Sequence, residues 1–155
     1  MDKSQLLEHT RLAHATWEAA LARLDEAQIL APGAGGTWSL KDVIAHLAWH
    51  EREMIELVRS HVLAGSEMWG WPLDERNHAI YLTNCDRPLE NILQEEQQVY
   101  AELVACLESL EEADLHEPAR FTGMPEDWKP WELIAENTYQ HFQDHLPEAE
   151  SLSKG

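Results

Sequence analysis

Glycine and proline interrupt this chain in only a few places: "LAPGAGG" at 30–36, "AGSEMWGWP" at 64–72, Pro88, "HEPARFTGMPEDWKP" at 116–130, and Pro147 near the end. Between these breaks lie helix-sized segments whose apolar residues recur at spacings of three and four, the period of an amphipathic helix. A segment of that kind is stable only when its apolar stripe is covered, so the pattern restricts the chain to helices packed on helices.

The first segment, roughly 4–30, carries His9, Ala13, Trp17, Ala20 and Leu24 on one stripe and is expected to end at Pro32. The second opens at "TWSLKD", where Ser39 can cap the helix and Asp42, three residues on, completes a capping box. Its stripe reads Val43, His46, Leu47, His50, Met54, Leu57 and His61. A short helix is expected at 73–83 and a long one over about 88–112, with Leu89, Ile92, Leu93, Glu96, Val99, Tyr100, Leu103, Leu107 and Leu110 in period. The last helix can start at Pro130 and is expected to end before Pro147, with Ile134, Asn137 or Thr138, His141 and His145 facing inward. No stretch alternates as a strand does. The expectation is an all-α four-helix bundle with one or two short extra helices, forming a single domain over 1–155.

Charge narrows the partners. With 29 acidic against 11 basic side chains the formal charge is −18, which repels nucleic-acid phosphates and anionic lipid. The acids are spread along the helical segments, as on solvated helix faces. The first residues lack the apolar core of a signal peptide, and no run approaches the roughly 18 apolar residues that span a bilayer. A cytoplasmic protein with neither a nucleic-acid nor a membrane partner is the expectation. Cys85 and Cys106 lack C-x-x-C spacing and read as free thiols, Cys106 within the core.

The histidines carry the chemistry. Two residues four apart on a helix project to the same side about 6 Å apart along the axis, so His46 with His50, and His141 with His145, can converge on one ion. Nine histidines in the chain make roughly half of one such pair expected by chance, so spacing alone decides little. Placement adds weight, because all four fall on inward stripes. They are either core histidines hydrogen-bonded to neighbouring acids and carbonyls, or ligands: His141, His145 and one histidine of the second helix would hold zinc, nickel or iron and leave a coordination position open. Glu96 or Asp144 would then orient a ligand or take a proton. No residue is singled out as catalytic.

The stretches "GTWSLKDVIAHLAWHE" at 36–51 and "WKPWELIAENTYQHFQDH" at 128–145 resemble the DinB-like superfamily, and "ENTYQHFQDH" with the tryptophan-rich middle is most similar to its ClbS/DfsB branch. The resemblance spans the chain in the order of its elements. It implies a DinB-like four-helix bundle and a divalent metal held by one histidine of the second helix and an H-x-x-x-H pair of the last, here His46, His141 and His145. His50 stands outside that triad as a pocket-lining residue or alternative ligand. The wider superfamily implies thiol-dependent transferases and isomerases in which the ion activates a low-molecular-weight thiol. The closer branch implies hydrolytic opening of an electrophilic toxin, a reaction not assigned to a histidine triad.

Seven tryptophans, Trp17, Trp38, Trp49, Trp69, Trp71, Trp128 and Trp131, either pack the core or wall an apolar pocket over the ion; Trp49 adjoins His50. In "WPLDERNHAIY" an arginine, Arg76, is placed either to hold a substrate carboxylate or to make a surface ion pair. Three functions remain open: a metal-dependent transferase or hydrolase acting on a small electrophile, a non-catalytic small-molecule binding or self-resistance protein, and a structural bundle, with a homodimer among the expectations.

Overall fold

The computed structural model describes residues 1–33, 38–63 and 65–154. Its helices are α1 (Lys3–Leu21), α2 (Glu26–Leu30), α3 (Leu40–Ser60), α4 (Leu73–Asn84), α5 (Leu89–Ser109), α6 (Glu112–His116), α7 (Pro130–Asn137) and α8 (Tyr139–Ser153). Among the described residues there is no strand, only two isolated backbone bridges. The all-α expectation holds.

The bundle consists of α1, α3, α5 and the α7–α8 pair. Helix α3 packs along α5 and also meets α4, α7 and α8, while α1 lies along α8. Helix α3 is therefore central, and its first half is buried on nearly every side. It starts where the sequence says: Ser39 accepts from the Asp42 amide while the Asp42 side chain accepts from the Ser39 amide. Ser39→Ala is expected to lower stability by about 1 kcal/mol, measured by urea unfolding at neutral pH. The core is filled by Trp17, Ile44, Leu47, Leu103, Leu107 and Ile134.

Three boundaries differ from expectation. The segment 4–30 is two helices, because the Asp25 carboxylate accepts from the Gln28 amide and the Gln28 side chain bonds back, capping a new start. The buried residues of α1 are Leu6, Leu7, Thr10, Ala13, His14, Trp17, Ala20 and Leu21, so Ala13, Trp17 and Ala20 face inward as expected while His9 is left outside and His14 is brought in. The last segment breaks at Thr138, a fully buried residue whose hydroxyl donates to the Ile134 carbonyl. Beyond it α8 continues through Pro147 to Ser153. Pro147 has no N–H to offer, but it lies on the exposed side where water can serve the freed carbonyl, and Ala149, fully buried, anchors the turn that follows. The residues 34–37 of the first loop lie outside the described residues.

Candidate metal centre

Helix α3 turns His46 and His50 toward the α7–α8 pair, where His141 meets them. The Nε2 atoms of His46 and His141 are 3.0 Å apart. The ring centroids of His46 and His50 are 4.6 Å apart, those of His50 and His141 4.3 Å. One nitrogen from each of these three rings lies within 4.8 Å of the other two. His145 is the next ring out, 4.9 Å from His141 and 5.5 Å from His46 by centroid. Thus the converging nitrogens belong to His46, His50 and His141, with His145 at the rim.

Neighbours decide which nitrogens are bare. The His50 Nδ1–H donates to Asn137 Oδ1 at 2.8 Å, and the Asn137 amide is fixed the right way round because its Nδ2 donates to the Leu133 carbonyl. This leaves the His50 Nε2 lone pair buried and without any partner. His145 Nδ1 donates to Glu148 at 2.7 Å, which likewise leaves its Nε2 free. An outer partner of this kind sets the tautomer and ring orientation of a metal-ligating histidine. His46 Nδ1 and His141 Nδ1 are also buried without partners.

The cluster is held uncharged. Burial, and then the charges of the other histidines, push His46 down to about 2. Burial with the charges of His50 and His145 takes His141 to about 3, and burial outweighs the Asn137 bond to take His50 to about 4. The Arg76 charge depresses all three further. Neutral imidazoles are the form that binds a metal.

Aromatic rings surround the cluster. Trp38 lies edge-on to His46 at 5.2 Å, Trp49 meets His50 at 4.9 Å, and Trp69 reaches His50 at 5.6 Å. Trp69 is itself fixed by an Nε1–H bond to Glu53 at 2.7 Å. It carries the Arg76 guanidinium over its ring, 4.7 Å from the centroid. Among the described residues no carboxylate pairs with Arg76, and its Nε is buried with no acceptor. Beyond Trp69 opens a cavity of about 370 Å³ lined by Met54, Leu57, Leu63, Trp69, Trp128 and Leu133. Trp17 is a core residue, whereas Trp71 is largely exposed.

Two expected acids lie elsewhere. Glu96 is buried against His14, not brought to the histidines, and Asp144 is exposed. His61 ends α3 in a left-handed conformation (φ 55°), 3.6 Å from Asp114. A second polar cluster that the sequence reading missed is formed by His14, Glu18 and Glu96, and the buried Glu51 carboxyl feels the charge of Glu96. Its signal was available in the alternative register of α1 and in Glu51 following His50 on a helix buried on nearly every face.

The chain is an all-α bundle whose central helix and last helix bring three uncharged histidines together, a donor set that could hold a metal ion. The sequence profile of the DinB superfamily matches residues 9–149, and the chain belongs to that superfamily. Solved structures with the same fold include the sibling lethal factor precursor DfsB, with a TM-score of 0.83, 15% identity, and 99% of this chain and 96% of that one covered. A protein from Streptococcus pneumoniae has a TM-score of 0.84 at 15% identity, covering 99% and 91%. An uncharacterised protein from Escherichia coli UTI89 has a TM-score of 0.76 at 15% identity, covering 99% and 93%. No curated protein sequence matches the chain. No helix of the described residues is long and apolar enough to cross a membrane.

Proposed function

We propose that the chain binds a divalent zinc, nickel or iron ion at the histidine cluster and acts as a metal-dependent transferase or hydrolase on a small electrophile. The observation that carries this reading is the convergence of three neutral imidazoles, two buried and His141 half-buried, with His50 Nε2 bare and pointing at no protein donor. Buried polar nitrogens without partners are costly, and an ion would relieve that cost at His50. His46 and His141 would hold it, with His50 or His145 as the third donor. A bound ion would supply Lewis acidity that favours a thiolate or hydroxide nucleophile near neutral pH.

The protein's own residues complete the site. Asn137 fixes His50 in the tautomer that presents Nε2, and Glu148 does the same for His145. Trp38, Trp49 and Trp69 limit water around the rings. Arg76, held on Trp69 without a carboxylate of its own, is positioned to take an anionic group of the substrate. The cavity beyond Trp69 falls in the size range of small-molecule sites and would receive the apolar remainder.

That apolar cavity also favours a second reading, a binding or self-resistance protein that holds its ligand without turnover. Protein prepared without a histidine tag separates the two. Metal-loaded protein is expected to accelerate the reaction of an activated aryl halide with a low-molecular-weight thiol, and stripped protein is not. A probe that quenches tryptophan fluorescence but is recovered unchanged, with metal and thiol present, supports the binding reading instead.

A further inference from the structure

Among the described residues, Glu53 is the one ionisable side chain that lines the cavity beyond Trp69, whose walls are otherwise apolar. The loop after α3 closes onto it: Glu53 Oε2 accepts from the Trp69 Nε1–H at 2.7 Å and from the Ser66 amide at 2.8 Å. Gly65 makes that closure possible. It stands in the left-handed region at φ 48°, and a Cβ there would collide with the Trp69 ring and lie 2.9 Å from Glu53 Oε2.

Two donors on one oxygen fix the plane of the carboxylate. Among the described residues nothing donates to the other oxygen, Oε1, and no lysine, arginine or histidine pairs with Glu53. Arg76 stands over the Trp69 ring and forms no ion pair with this carboxylate, which stays open to a cation from outside. A half-buried carboxylate with an unused oxygen is a poor neighbour for a purely apolar ligand, which would strip its water and return no hydrogen bond. An anionic end in the cavity would add repulsion between like charges. An ammonium group meets both needs: it brings an N–H for Oε1 and a positive charge for the rings of Trp69 and Trp128. The formal charge of −18 draws cations toward the protein as a whole.

We propose that this cavity takes a primary or secondary ammonium group carried on an apolar body, with Glu53 Oε1 as its acceptor. The inference rests on the reading that the apolar remainder of the ligand enters this cavity, and it requires no bound ion.

Untagged, metal-stripped protein is titrated calorimetrically at pH 7 with 4-phenylbutylamine, charged at that pH, and with its neutral isostere 4-phenylbutan-1-ol. The amine is expected to bind at least about tenfold more tightly, the gain typical of a hydrogen bond to a charged group. Glu53→Gln keeps an oxygen for Trp69 and Ser66 and sets an NH₂ group where Oε1 stands, so it should erase that preference and leave the alcohol bound as in the wild type. Trp128→Ala, at a rim position 43% exposed, should weaken both compounds. Circular dichroism checks that the variants are folded. The inference is overturned if the wild type binds the amine no more tightly than the alcohol, or if folded Glu53→Gln retains the preference. It is overturned equally if folded Trp128→Ala binds both compounds as the wild type does, which would place the amine on the acidic surface. Zinc titration of the same preparation is read separately. Zinc uptake without amine binding sinks this inference and leaves the ion at the histidines, whereas amine binding without zinc uptake supports it and removes the ion.

Discussion

Replacing His46 or His141 by alanine in untagged, metal-stripped protein is expected to abolish stoichiometric zinc binding in isothermal titration, with a loss larger than the 10–100-fold caused by disturbing an outer partner. These two nitrogens lie 3.0 Å apart and come from different helices, so each substitution removes one side of the site. The third donor is a contest between His50 and His145. Resemblance to the superfamily points to His145, whereas the structure brings the bare His50 Nε2 into the group and leaves His145 at the rim. The expected order is therefore a greater loss for His50→Ala than for His145→Ala. Asn137→Ala is expected to weaken binding by about 10–100-fold by releasing the His50 tautomer. Equal zinc affinity for wild type and His141→Ala would remove the ion from this site altogether.

Much of this site can be read from the sequence because the relevant interactions are local. Ser39 and Asp42 fix the start of α3 within four residues of chain, and once that start is fixed the 3.6 period places His46, His50 and Met54 inward without tertiary information. The histidine pair of α8 follows from the same arithmetic. Failures occur where two registers fit equally well or where the deciding contact is distant. In α1, both the stripe through His9 and the stripe through His14 keep the period; packing against α5 selects the latter, where His14 finds Glu96 82 residues away in sequence. Glu96 falls on the inward stripe of α5, as expected, but which neighbour it faces depends on how the helices are arranged around α3. Thr138 reads as one more helical residue until its hydroxyl is seen bonded to Ile134. Pro147 reads as a stop, yet exposure of the carbonyl it orphans makes continuation cheap. Arg76 is ambiguous in sequence between ion pair and ligand holder, and only the structure shows it on Trp69 without a carboxylate.

Metal-free protein should lose stability steeply as the pH falls from 6 to 5. In the unfolded chain the three histidines protonate near 6.5, while in the folded bundle burial holds His46, His50 and His141 at about 2, 4 and 3. Below 6.5 the unfolded state therefore binds the protons and the folded state does not, so the stability contributed by the neutral imidazoles is present above 6.5 and drains away on acidification. Each histidine accounts for about 1.4 kcal/mol per pH unit. Glu51 opposes them: burial raises its pKa well above 4.5, so the folded state keeps a proton that the unfolded chain releases, and its contribution falls as pH rises. Glu18 is raised in the same direction, and the three histidines outnumber the two acids, so unfolding takes up protons on balance and stability falls on acidification by up to about 1.4 kcal/mol per pH unit for each proton of the difference. Urea unfolding at pH 7, 6 and 5 measures it directly, and His46→Gln should flatten the slope by about one proton. A slope near zero between pH 6 and 5 would mean that the imidazoles titrate as they do in water, and with it the description of a neutral, ion-ready cluster would fall. Zinc should steepen the acid dependence further, because protons then compete with the ion for the same nitrogens and its release removes the stabilisation that binding to the folded state alone provides.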